Sequence, residues 1–293
     1  MDDKTAKAIR NAISESFDKH KRLEAIYKKV RQGTATYEDA HILAKDLASI
    51  MTRELRPYGY ALNGDDLSIN LLKELYTKHG RLTSMVCDSV QKTLNEAAGI
   101  GINPVEPPSS TDRIDGIVKL MAESQEAENV ARVIEEPFTT AALAKVDEWV
   151  QTNADFQSKI GFSPVIVRKY EGPHEETHNG KKTGKLRDCR FCKDLAGNYN
   201  YDEERPADLF VRHLGCRCTV VMYPMHYYEG RITALAKGET DTEGVLWNTG
   251  QYTSNSRQAV LRRRRKQYGK DEARRILNEE WKGGRNGQAE RHF

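Results

Sequence analysis

Four of the five cysteines fall within thirty residues: Cys189 and Cys192, then Cys216 and Cys218, with His213 just ahead of the second pair. Thiolate and imidazole are the donors of tetrahedral zinc. A Cys-x-x-Cys turn places two thiolates on one ion, and a second cluster brought up across a loop completes the shell. In an extended segment positions i and i+2 share a face, so Cys216 and Cys218 can both meet the metal. Five candidates then compete for four places, and the spacing favours Cys189, Cys192 and Cys218 together with either His213 or Cys216. A shell so rich in thiolate is closed and electron-rich, which points to a structural zinc ion without catalysis. Glu203 and Glu204 lie between the clusters and could in principle serve as a base, but a solvated loop is the better account of them. A redox Cys-x-x-Cys would need a βαβ context that is absent here.

The elements around these residues are short and β-branched. Pro164–Tyr170 and Cys218–Tyr223 read as strands flanking the cluster, with Pro224 closing the second. Glu171–Gly184, rich in Gly, His, Lys and Glu, reads as a loop or hairpin tip. His174 and His178 are four apart, but Pro173 and Gly180 argue against a helix that would pair them on a second metal.

Upstream the grammar is helical. Ile9, Ile13 and Phe17, then Leu23, Ile26, Tyr27 and Val30, recur at three- and four-residue spacing up to Gly33. Thr36 and Asp39 resemble a capping box ahead of Leu43, Leu47, Ile50 and Met51, and Pro57 ends that helix. A third helical region covers 66–98, with Gly80 as a break or kink. The segment 99–110 holds three of the nine prolines and reads as a linker or an extended arm. A further helical pattern opens at Thr111 and stops before Pro137, and another starts at Thr139 or Thr140 and carries Trp149. Cys87 reads as a buried apolar residue, and Trp149, Trp247 and Trp281 as packing or contact anchors.

The expected fold is mainly α with a small α+β zinc-stapled module, an extended multi-helix body and a basic helical C-terminal tail. The divisions are 1–98, helical; 99–110, linker or arm; 111–160, helical; 161–226, zinc-binding module; and 227–293, basic tail.

Composition narrows the function classes. With 293 residues, 38% apolar and 30% charged, the chain is too long for a stapled mini-protein and too apolar for wholesale disorder. No apolar run is long enough to span a membrane, and the start lacks a signal-peptide core. A reducing cytoplasm is therefore expected, where clustered cysteines favour metal over disulfides. The 46 basic and 43 acidic side chains are unevenly placed: residues 251–293 carry 12 basic against 5 acidic, leaving 34 against 38 in the rest. The basic excess peaks at Arg262, Arg263, Arg264, Arg265 and Lys266. This run can contact DNA phosphates without reading sequence, or an acidic protein, or simply be solvated. No phosphate loop, nucleophile elbow or His-Glu-x-x-His motif is present.

The composite pattern Cys189-x-x-Cys192-x-x-Leu195-x-Gly197, then His213-x-x-Cys216-Arg217-Cys218-Thr219 before a strand and a proline, resembles the C-terminal domain of phage minor head proteins, the Mu F-like head morphogenesis family. The resemblance covers about residues 140–226. It departs from the family pattern at Leu214-Gly215, where Pro-Asn is common, and in a charged insertion from His174 to Arg187. It implies a virion structural protein, made in the host cytoplasm and placed in the head or neck near the portal vertex. Its partners would be the portal, other head proteins and, nonspecifically, packaged DNA, in an oligomeric assembly. The residues themselves leave two other classes open: a zinc-dependent nuclease-type effector, and a zinc-containing nucleic-acid-binding regulator.

Overall fold

A computed structural model of the chain describes residues 1–224, apart from 63, 110, 124–129, 173, 179–180 and 204. The tail 227–293, with Arg262–Lys266, Trp247 and Trp281, lies outside the described residues, as does Glu204. The described part is mainly helical with a small antiparallel sheet.

Helix α1 (Asp3–Asp18) starts where the Asp2 carboxylate accepts the Thr5 amide at 2.7 Å, and it buries Ala6, Ile9 and Ile13. Helix α2 (Lys21–Arg31) adds Leu23 and Ile26. Helix α3 (Tyr37–Leu55) opens with the expected box: Thr36 Oγ1 accepts from the Asp39 amide at 3.3 Å, and the Asp39 carboxylate accepts from the Thr36 amide at 3.0 Å. The Ala40, Leu43, Ala44, Leu47, Ala48 and Met51 side chains of α3 are fully buried, as an element enclosed by its neighbours must be. A 3-10 turn over Arg56–Ala61 carries Pro57 in its first turn and ends the α-helix.

Helix α4 (Asp66–Ala97) runs 32 residues through Gly80 without a break. A side chain at Gly80 would meet nothing within 4 Å, so the glycine faces open space, and the packed residues Leu72, Leu75, Val86 and Val90 on either side hold the helix continuous. Helix α5 (Asp112–Glu123) is followed by α6 (Val130–Lys159), which contains Pro137. This corrects the sequence reading of a stop before Pro137 and a fresh start at Thr139. Proline costs a helix about 3 kcal/mol through its missing donor and its clash with the preceding turn. Ile134 and Phe138, both fully buried, anchor the chain on each side of it, and their burial outweighs that penalty.

The Pro-rich segment is fastened to the body. Asn153 of α6 accepts the Val105 amide at 2.9 Å and donates to the Val105 carbonyl at 2.9 Å, while Asn95 of α4 donates to the Ile102 carbonyl at 3.0 Å. Pro107 is buried. These contacts make 99–109 a strap across α4 and α6.

Three strands form one sheet in the order β4 (Gly197–Asn200), β1 (Val165–Lys169), β5 (Thr219–Tyr223), all antiparallel, with Val167 opposite Val221 and Ile166 opposite Tyr199. The charged insertion forms a separate hairpin of β2 (His174–His178) and β3 (Lys181–Arg187), so His174 and His178 fall on a strand. Strand β5 packs on α3 and α6, and one apolar core runs from Ile9 through Leu47 and Trp149 to Tyr223. The helical stretches and the sheet thus share a single core. Trp149 and Cys87 are buried in it, as their sequence context suggests. No helix among the described residues is long and apolar enough to cross a membrane.

Candidate metal centre

Cys189 caps a five-residue helix, α7 (Arg190–Asp194), its Sγ accepting the Cys192 amide at 3.4 Å. This turn points Cys189 and Cys192 the same way. His213, Cys216 and Cys218 arrive on the coil that leads into β5. Their turn closes with the Cys216 amide donating to the His213 carbonyl at 3.0 Å, and Gly215 occupies it at φ +76°. That left-handed conformation is one only glycine adopts without strain.

All five expected ligands converge. His213 Nε2 lies 3.1 Å from Cys189 Sγ and 3.0 Å from Cys192 Sγ, and Cys192 Sγ lies 3.6 Å from Cys216 Sγ. Two overlapping groups result, Cys189/Cys192/His213 and Cys192/Cys216/Cys218, each with its donor atoms within 4.8 Å of one another and with Cys192 common to both. Cys192, Cys216 and Cys218 are buried, and Cys189 and His213 are partly exposed. His213 Nδ1 is 2.7 Å from the Leu214 carbonyl, an acceptor for an Nδ1 proton, and this contact orients the ring with Nε2 facing the thiols. Four thiols and an imidazole in two groups that share Cys192 make a donor set that fits a soft or borderline divalent cation.

Electrostatics favour such an ion. Burial, reinforced by charge on Cys216, pushes the Cys192 thiol up to about 12. The Cys216 thiol moves down to about 4 because the Cys218 thiol hydrogen-bonds to it, with the Arg212 guanidinium adding to the effect. Cys218 is raised by donating that hydrogen bond and by burial. Crowded together, these thiols cannot all ionise; a cation among them removes that restraint.

Side chains that the spacing did not single out support the cluster. Arg212, next to His213, is paired with Asp147 of α6. His41 of α3 places Nε2 3.6 Å from Asp147 Oδ1, and 2.8 Å from the carbonyl oxygen and 3.1 Å from the amide nitrogen of Val220, covering the outer edge of β5. Arg168 of β1 sends Nη1 to the Leu209 and Val211 carbonyls at 2.6 and 3.0 Å, and Nη2 to Cys216 Sγ at 3.7 Å. Arg212 Nη1 reaches the same sulfur at 3.8 Å. Gly215 donates its amide to Thr140 Oγ1 at 3.1 Å, and Arg217 pairs with Glu136 at 3.0 Å, so the ligand coil lies along the first half of α6. Arg168 is the one of these that left a signal in the sequence, a cation directly after the apolar run Val165-Ile166-Val167 within the strand candidate.

Glu203, considered above as a base, instead accepts a hydrogen bond from Asn200 Nδ2 at 3.1 Å and belongs to neither metal-binding group. No protein-family model, curated protein or solved structure matches this chain.

Proposed function

We propose that this chain is a phage virion structural protein, a minor head protein near the portal vertex, in which one zinc ion held by the Cys189–Cys218 cluster has a structural role. The observation that carries the reading is the Cys/His constellation itself: a Cys-x-x-Cys knuckle and a His-x-x-Cys-x-Cys coil meeting between strands of a small sheet, in the order and spacing that resemble the minor head family. The surroundings support a closed site. Two arginines line the thiols, and Asp147 and Glu136, the α6 acids beside the ligand coil, are already engaged by Arg212 and Arg217. Zinc there would cross-link the knuckle to the ligand coil and so fix β1 and β5 to the helical body.

The test is the location of the chain in assembled particles. Purified virions should contain it in a few copies, resolved by cryo-electron microscopy at or beside the portal, with about one zinc per chain by metal analysis. A chain that never enters particles, and that cleaves DNA with its metal bound, would overturn this reading in favour of the nuclease-type effector. Sequence-selective binding to short duplexes would favour the regulator instead.

A further inference from the structure

We propose that Arg168 is the counter-ion of the metal–thiolate centre, and that the ligands are Cys189, Cys192, His213 and Cys216, with Cys218 held as an unligated thiol beside them. The inference rests on the reading of the cluster as a metal site.

Arg168 is 1% exposed, and among the described residues no carboxylate lies within ion-pair distance of it. Its Nη atoms reach two backbone carbonyls and Cys216 Sγ, its Nε has no partner, and its guanidinium lies 6.0 Å from the Phe191 ring centre. A buried cation is strongly disfavoured unless a negative charge faces it, and of the groups Arg168 reaches only the Cys216 sulfur can carry one. The neighbouring cation does not share this problem, because Arg212 is neutralised by Asp147. The negative charge facing Arg168 must therefore come from the centre.

Charge then selects the ligand set. A divalent ion with three thiolates and a neutral imidazole carries one net negative charge and cancels Arg168. Four thiolates would leave one negative charge in excess, and two would leave Arg168 uncompensated. Of the two compact groups, Cys189/Cys192/His213 is the one that brings the imidazole, and Cys192, shared with Cys216 and Cys218, links it to the one thiolate that remains to be chosen. Arg168 and Arg212 both point at Cys216 rather than Cys218. The 3.6 Å between Cys216 and Cys192 is close to the ~3.8 Å edge of a tetrahedron with bonds of about 2.3 Å. The spacing alone favours Cys218; under this assignment its Sγ stands beside the shell, within 4.8 Å of the Cys192 and Cys216 sulfurs.

The test uses the full chain loaded with Co(II), whose thiolate charge-transfer absorption grows with the number of sulfur ligands, alongside zinc competition titrations. Cys218→Ala should keep the wild-type absorption, whereas Cys216→Ala should lose about a third of it. Arg168→Met should move the charge-transfer band to lower energy and weaken zinc affinity about 10- to 100-fold, the range for groups that support metal ligands. Arg168→Lys should restore most of both. A loss of one third in Cys218→Ala with Cys216→Ala unaffected, or an Arg168→Met protein with unchanged band and affinity, would overturn the proposal. If Arg168→Met does not fold, Arg168→Lys and the two cysteine variants still decide. Four-thiolate absorption in the wild type would overturn the charge balance alone, whereas a folded wild type that takes up no metal would overturn the metal centre itself.

Discussion

Arg212 grips Asp147 through two hydrogen bonds, Nε to Oδ2 at 2.5 Å and Nη2 to Oδ1 at 2.9 Å, across 65 residues of chain. Both side chains are almost fully buried. The pair joins the middle of α6 to the residue beside His213, so the helical core positions the ligand coil. Removing one partner of a buried ion pair leaves the other charge stranded, at a cost of about 3–5 kcal/mol. Asp147→Ala should therefore destabilise the protein by about that much in urea unfolding. The double variant Asp147→Leu/Arg212→Met, which leaves neither charge behind, should lose much less.

Gly215 is fixed by its neighbour as well as by its backbone. A Cβ there would stand 2.9 Å from Glu136 Oε2, and the φ of +76° is itself unfavourable to other residues. Gly215→Ala should cost about 1–2 kcal/mol from the backbone conformation alone. Because the strain falls between His213 and Cys216, metal affinity should drop with it, as read by zinc competition titration. Glu136→Ala in the same chain should relieve part of the loss.

Acid should weaken the fold through His79. This imidazole on α4 is buried against Phe138, with Nε2 2.9 Å from the Ala44 carbonyl, and burial lowers its pKa from 6.5 to about 4. Between those values the unfolded chain binds a proton that the folded chain does not, so stability is full above pH 6.5 and falls as the pH drops towards 4. The loss is about 3 kcal/mol. His41 is shifted downward too, by burial, and acts in the same direction. His79→Gln should flatten the pH dependence of urea midpoints over this window.

Chelation should separate the two halves of the architecture. Stripping the metal at neutral pH should expose Cys189 first to thiol reagents, since it is partly exposed while Cys192, Cys216 and Cys218 are buried. Most far-UV helical signal should remain, because the apolar core from Ile9 to Val150 includes none of Cys189, Cys192, Cys216 and Cys218. A melting temperature unchanged by chelation would deny the metal its cross-linking role.

What could be read from the sequence was what depends on local pattern. The three- and four-residue spacing of Ile9, Ile13, Leu23 and Ile26, the Thr36/Asp39 box, and the β-branched runs at Val165 and Thr219 each carry their own signal. Each lies in an element of the expected type. Pattern reading failed at Pro137 and Gly80, where long-range packing outweighs the local tendency to break, and at Gly197–Asn200, a strand whose partner in β1 lies about thirty residues away.

The sequence by itself determined the donor types. Four cysteines and a histidine within thirty residues fix the donor chemistry of the cluster, because thiolate and imidazole at knuckle spacing are the donors a soft or borderline cation takes. Only the tertiary structure decided what surrounds them. That Arg168 faces Cys216, that Asp147 neutralises Arg212, and that Glu136 and Thr140 hold the Gly215 turn are contacts between residues 48 to 81 positions apart. Charge compensation acts through space across a buried interior, and no spacing along the chain encodes it.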